Sequence, residues 1–149
     1  MAWIIRFPNV VGSNLTHGVL YDFLNKLESN GNELNVLGDG NQEKPYLYVD
    51  DLLDAIEIIE NQVENRINYY NVSADSQTTV KEIVNILIEV TGLKDLEIIY
   101  SGGDRGWVGD IPKFKYDLVK IKELDWEPKF NSNHAIKMSL TKELINRKK

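Results

Sequence analysis

The opening stretch constrains this chain more than any other. Residues 2–7 read Ala-Trp-Ile-Ile-Arg-Phe, bounded by Pro8-Asn9 and Gly12. Side chains alternate between the two faces of a strand, so Trp3, Ile4, Ile5 and Phe7 make both faces apolar. Continuous apolarity marks a strand inside a parallel sheet, with helices over both faces. Such a strand needs neighbours on either side, and little sequence precedes it. Two arrangements accommodate it: a small α/β domain that sandwiches the strand at its edge, or a sheet whose other strands lie outside the chain. The second is the expectation.

The remainder alternates helical and strand periodicities, which predicts an α/β class with an α+β-like layout. Val19, Leu20, Phe23, Leu24 and Leu27 predict an amphipathic helix over 17–29, stopped by Asn30-Gly31-Asn32. A strand over 34–37 runs into the turn Gly38-Asp39-Gly40-Asn41, and a second strand covers 46–49. Asp50 or Asp51 is placed to cap a helix whose inner face is Leu53, Ile56 and Ile59. After a strand over 67–72, Thr79 and Glu82 stand at capping-box spacing and open a helix that Gly92 ends. A strand over 96–100 leads into a glycine-rich loop over 101–112, then a short helix over 116–124. A last helix, capped by Ser132 or Asn133, buries Ile136, Leu140 and Leu144. No linker divides the chain, so residues 1–149 are read as one region.

Composition narrows the function classes. A net charge of −6 disfavours a nucleic-acid footprint. The absence of cysteine removes thiolate nucleophiles, thiolate metal sites and disulfides, and fits a cytoplasmic address. No apolar run approaches the roughly 20 residues of a membrane span, and the amino terminus does not read as a signal peptide. The two histidines, His17 and His134, lack metal-ligand spacing, so no metal is expected. There is neither a G-x-S-x-G elbow nor a dinucleotide-binding glycine fingerprint after the first strand.

Four segments can carry chemistry. Asn9 ends a strand, where ligands sit in parallel sheets and where an amide can reach a sugar or phosphate; it is equally a turn former. Lys44 follows a tight turn and precedes Tyr46, either as a phosphate partner or as a solvated cation. Residues 101–110 combine four glycines with Arg105, whose planar donor fork suits a diphosphate, and with Trp107 and Asp110. Thr16-His17-Gly18 precedes a helix start, which favours anions; a surface histidine near a cap explains it as well.

Taken in order, these segments resemble the carboxy-terminal half of the extended short-chain dehydrogenase/reductase family, in its NAD-dependent nucleotide-sugar epimerase and dehydratase branch. The family's Arg-aromatic-Phe-Asn-Val-Tyr-Gly-Pro run reads here Arg6-Phe7-Pro8-Asn9-Val10-Val11-Gly12-Ser13. Its Gly-Asp-Gly-x-Gln-x-Arg-Asp-Tyr-Val-x-Val-x-Asp reads Gly38 to Asp51. Tyr70-Asn71-Val72, the loop from Arg105 to Asp110, and Leu124-Asp125-Trp126-Glu127-Pro128 complete the likeness. The resemblance implies the substrate-binding part of an extended fold that lacks most of its Rossmann sheet, with residues 1–12 similar to a late strand of that sheet.

It also implies roles. Asn9 would bond the sugar nucleotide, and Thr16, His17 and Val19 would face the substrate. Lys44 and Arg105 would hold the phosphates, and Asp110 would orient Arg105 or touch the ribose. The backbone at Pro8 would face the nicotinamide. Two departures matter: Lys44-Pro45 stands for Arg-Asp, giving up a bidentate fork, and the half that carries the glycine fingerprint and the Tyr-x-x-x-Lys pair is missing. Tyr116 and Lys120 share that spacing but fall in the family's carboxy-terminal helix, and are read as coincidence. No catalytic residue is expected, and no NAD binding by this chain alone. The expected partners are a nucleotide-diphosphate sugar and either a separate NAD-binding half or a second copy met through the first strand. A stand-alone, non-catalytic nucleotide-sugar module and a functionless truncated frame are the alternatives.

Overall fold

The computed structural model describes residues 1–104 and 113–148. Among these residues the strands pair in twos. β1 (Ala2–Arg6) lies parallel to β6 (Ile67–Asn71), β2 (Asn9–Val11) to β5 (Tyr46–Tyr48), and β3 (Glu33–Val36) to β8 (Glu97–Tyr100). The short β4 (Glu43–Lys44) and β7 (Thr78–Thr79) pair antiparallel. Parallel strands need crossovers. α1 (Val19–Asn30), α2 (Val49–Gln62) and α3 (Val80–Thr91) each leave one strand and lead into the next. A single turn of helix, α4 (Val119–Lys122), and the long α5 (Ser132–Arg147) follow. The α/β class read from the alternating periodicities is the observed one.

β5 stands between two apolar clusters. Tyr46 and Tyr48 point into the first, with Leu20, Phe23, Leu24, Leu34, Val36, Ile83, Leu87, Ile136 and Leu140. Leu47 points the other way, into a cluster with Leu52, Ala55, Ile59, Tyr70, Val72, Ile121 and Trp126. Burial on both faces explains why this strand shows no polar alternation.

β1 departs from this pattern. Its one strand partner among the described residues is β6. Ile4 is 44% exposed, and Trp3, Phe7, Ile67 and Tyr69 are exposed beside it. The strand is therefore not sandwiched as the small closed domain would require.

Local signals fixed several helix ends. At α3 the Glu82 N–H donates to Thr79 Oγ1 (3.1 Å) and the Thr79 N–H donates to Glu82 Oε2 (2.7 Å), a complete capping box. Gly92 closes the helix in the left-handed region.

Other boundaries moved. α1 begins at Val19 rather than 17, because Gly18, with φ of 90°, is its cap. α2 grows straight out of β5, with Tyr48 at its cap position and no side-chain cap, so Asp50 and Asp51 fall inside its first turn. That start turns the inward stripe to Asp51, Leu52, Ala55 and Ile59, and leaves Leu53 57% exposed. The predicted helix over 116–124 shrinks to α4, since Asp117 Oδ1 accepts from the Val119 N–H (2.9 Å) and holds the chain before it outside the helix. The cap of α5 is Asn131, whose Oδ1 accepts from the His134 N–H (2.9 Å), and Leu144 is only partly covered.

α5 braces the region that matters below. Near its start, Ser132 Oγ accepts from the Tyr46 N–H (3.0 Å) and from Thr78 Oγ1 (2.6 Å). Toward its end, Ser139 Oγ donates to the Gly12 carbonyl (2.5 Å), and buried Glu143 accepts the Leu15 N–H (3.2 Å). Arg147 pairs with Glu143 and with Glu28, neutralising the buried carboxylate. No described helix is long and apolar enough to cross a membrane.

Candidate functional site

The carboxyl ends of β2 and β3, the start of α1 and the stretch 42–46 enclose a cavity of about 490 Å³. Three sequence segments meet there through long-range pairing. β2 lies against β5 with Asn9 opposite Tyr46 and Val11 opposite Tyr48, which brings 9–11 beside 42–46. The α5 brace on Gly12 and Leu15 then returns the chain over the cavity, so that Leu15, His17, Gly18 and Val19 form another wall. Val36, Leu37, Phe23 and Val80 add apolar floor.

Four of the residues singled out in the sequence line this one cavity: Asn9, His17, Val19 and Lys44. Thr16 is not among the lining residues; its hydroxyl lies 3.0 Å from His17 Nδ1. The Gly18 cap supplies no side chain to the first turn of α1, so its backbone N–H groups have no side-chain acceptor. The positive end of the helix dipole favours anionic groups here. Asp22, in that first turn, forms an ion pair with Lys26 (2.7 Å). Pro8 is buried, and the Phe7 carbonyl before it accepts from the Tyr116 hydroxyl (3.0 Å). Arg105 and Asp110, with Trp107, lie outside the described residues.

Tyr116 and Lys120 do not meet as a catalytic pair. The Tyr116 hydroxyl is taken by Phe7, while Lys120 Nζ donates to the Tyr69 carbonyl (2.8 Å) and sits over the Tyr70 ring at 4.3 Å. They tie the chain after the glycine-rich loop to Phe7, just past β1, and to β6.

One lining residue was not singled out in the sequence. Gln42 is only 4% exposed, and neither its amide nitrogen nor its amide oxygen has a hydrogen-bond partner among the described residues. An unpaired buried polar group costs about 1–3 kcal/mol. Two signals were available: Gln42 stands at the Gln of the Gly-Asp-Gly-x-Gln likeness, and Gln42, Lys44 and Tyr46 alternate along an extended stretch and so share a side. The turn before it is held firmly. Asp39 accepts from the Asn41 N–H (2.9 Å) and from the Asn41 side chain, which holds its carboxyl below the usual range. The Lys81 N–H donates to the Gly40 carbonyl (3.0 Å).

No group of three or more His, Cys, Asp or Glu among the described residues is arranged to hold a metal.

A model of the NAD dependent epimerase/dehydratase family matches residues 1–73. A putative UDP-glucose 4-epimerase of Methanocaldococcus jannaschii is 28% identical over 138 residues, covering 90% of this chain and 43% of that protein. A crystal structure of UDP-galactose 4-epimerase superposes with a TM-score of 0.81 at 32% identity, over 97% of this chain and 45% of that one. The chain resembles the NAD dependent epimerase/dehydratase family, whose model covers its first half. Other proteins resemble it at similar levels. A probable GDP-L-fucose synthase 1 of Oryza sativa subsp. japonica is 32% identical over 101 residues, 68% of this chain and 29% of that protein. The Thermotoga maritima UDP-glucose 4-epimerase solved with UDP-glucose gives a TM-score of 0.80 at 27% identity, over 99% of this chain and 47% of that one. The chain spans less than half the length of each of these proteins.

Proposed function

We propose that this chain is the substrate-binding half of an NAD-dependent nucleotide-sugar epimerase or dehydratase, binding the diphosphate and sugar and turning over nothing alone. The observation that carries the reading is the convergence of Asn9, His17, Val19 and Lys44 on one cavity of about 490 Å³. Those positions come from three separate segments, and each was assigned to substrate through the family resemblance. In this reading Lys44 and Arg105 hold the diphosphate, the start of α1 supports it, and Asn9, Thr16 and His17 face the sugar. Asp110 orients Arg105 or meets the ribose.

NAD supplies hydride transfer when bound in an intact enzyme of this kind. The residues present here do not make its seat. The glycine fingerprint is absent, Pro8 is buried, and the adjacent carbonyl is already bonded to Tyr116. NAD therefore belongs to a second half. Residues 1–12 act as a late strand of that half's sheet, and the exposed apolar side chains of β1 and β6 are the surface it covers. The open apolar strand favours this reading over a self-sufficient binding module, whose outer strand would carry polar residues.

Titration calorimetry with UDP-glucose tests the proposal. Binding by the full chain, weakened at least tenfold by Arg105→Ala and by Lys44→Ala, is the expected result. No heat at millimolar ligand, or epimerisation by the purified chain alone, would overturn it.

A further inference from the structure

We infer that Gln42 is a substrate-contacting residue, and that its amide reads hydroxyl groups on the sugar ring attached to the phosphate held at Lys44. The inference rests on the proposed nucleotide-sugar site and goes beyond it by assigning a residue and a chemical contact.

Three observations lead there. First, Gln42 is nine-tenths buried and lines the cavity, yet both ends of its amide lack partners among the described residues. Buried amides are nearly always paired, and an unpaired one marks a group whose partner comes from elsewhere. Second, its backbone is fixed independently of its side chain. The Gln42 carbonyl accepts from the Val80 N–H (3.1 Å), and Glu43 follows in β4 opposite Thr79. The side chain thus lines the cavity without a hydrogen bond to the described residues. Third, Gln42 precedes Lys44 by two residues on the same side of an extended stretch, a separation of roughly 7 Å. An ammonium at Lys44 suits a phosphate, and a neutral amide one step away suits the uncharged ring joined to it. A primary amide offers a donor and an acceptor side by side. A ring hydroxyl is both donor and acceptor, so a pair of hydroxyls satisfies both ends of the amide. A phosphate, which only accepts, would leave the amide oxygen unpaired.

The ring is either the ribose or the hexose, and the ligand series separates them. Gln42→Leu, similar in volume and without polar atoms, is compared with the unaltered full chain by calorimetry against UDP-glucose, UDP and inorganic diphosphate. At least tenfold weaker binding of UDP-glucose, with diphosphate unchanged, is the expected result. An equal loss with UDP assigns the ribose, and a loss confined to UDP-glucose assigns the hexose. Unchanged UDP-glucose affinity, or an equal loss with inorganic diphosphate, would overturn the assignment. Thermal unfolding without ligand supplies an independent reading. Gln42→Leu is expected to hold or raise the melting temperature, because it removes an orphaned amide; a drop of several degrees would mean that the amide is paired within the protein and would end the proposal even if no ligand binds. Failure of the unaltered chain to bind UDP-glucose, with Gln42→Leu no less stable, would instead fault the nucleotide-sugar reading.

Discussion

Gly40→Ala is expected to destabilise this chain more than Gly12→Ala or Gly92→Ala does. Two separate costs meet at this position. Its φ is +80°, in the left-handed region, where an L side chain costs about 1–2 kcal/mol. A Cβ placed there would also stand 2.5 Å from Tyr100 Cε1 and 2.8 Å from Lys81 Cγ. Overpacking of that kind costs about 1–3 kcal/mol, giving about 2–5 kcal/mol together. Two other glycines isolate the parts. Gly92 has a φ of +74°, and a Cβ there would have no neighbour within 4 Å, so Gly92→Ala carries the backbone cost alone. Gly12 is not in the left-handed region, but its Cβ would meet Val49 Cγ1 at 2.8 Å, so Gly12→Ala carries the packing cost alone. The three sites are far enough apart in role for the costs to be compared as separate quantities. At about 4 °C per kcal/mol for a chain of this size, Gly40→Ala should melt roughly 8–20 °C lower. Thermal unfolding followed by circular dichroism reads all three. Gly40→Ala melting no lower than both Gly92→Ala and Gly12→Ala would refute the reasoning.

The remaining predictions use the same structure. Thr79→Ala removes the cap of α3 and should cost about 1 kcal/mol in urea unfolding. Glu82, held below its ordinary carboxylate range by the Thr79 N–H and hydroxyl, contributes stability that is complete above the unfolded value and fades as the pH falls through its lower folded value. Glu82→Gln should therefore be less stable than the parent at pH 7, with the gap closing in acid; a gap that persists at pH 2 would contradict the sign. Tyr116→Phe and Lys120→Met should leave UDP-glucose affinity within twofold in calorimetry, since both side chains serve β1 and β6 rather than the cavity. The chain should self-associate with concentration in sedimentation, and Ile4→Lys should shift it toward monomer; equal behaviour of the two would show that the exposed strand is not the contact.

What the sequence disclosed followed the range of the interactions involved. The capping box at Thr79 and the Gly92 stop are contacts within a few residues, and both were legible. In the inward stripe of α2, Ile59 was placed correctly and Ile56 in part, but Leu52 and Ala55 face inward where Leu53 was expected, because the phase is set where Val49 leaves a buried strand rather than by any cap. β4 and β7, two residues each, exist only through pairing across more than thirty residues of chain, and no local pattern announces them. The candidate residues Asn9, His17, Val19 and Lys44 were legible as types in suggestive places, while their convergence depended on β2 meeting β5. Gln42 escaped notice for a related reason: burial of a polar side chain is a property of the folded surroundings. Arg105 and Asp110 lie outside the described residues.

The brace formed by α5 has an evolutionary consequence. Ser132 grips the wall that carries Tyr46, and Glu143 grips the wall that carries Leu15. These anchors are eleven residues apart, roughly 16 Å of helix. The helix acts as a caliper, and its length and bend set how wide the cavity stands. Selection for a bulkier or slimmer ligand can then act on residues that never touch it. A mutational scan for altered ligand preference should return hits along α5 beside those in the cavity, and a reader of that scan who looked only for contacts would discard them.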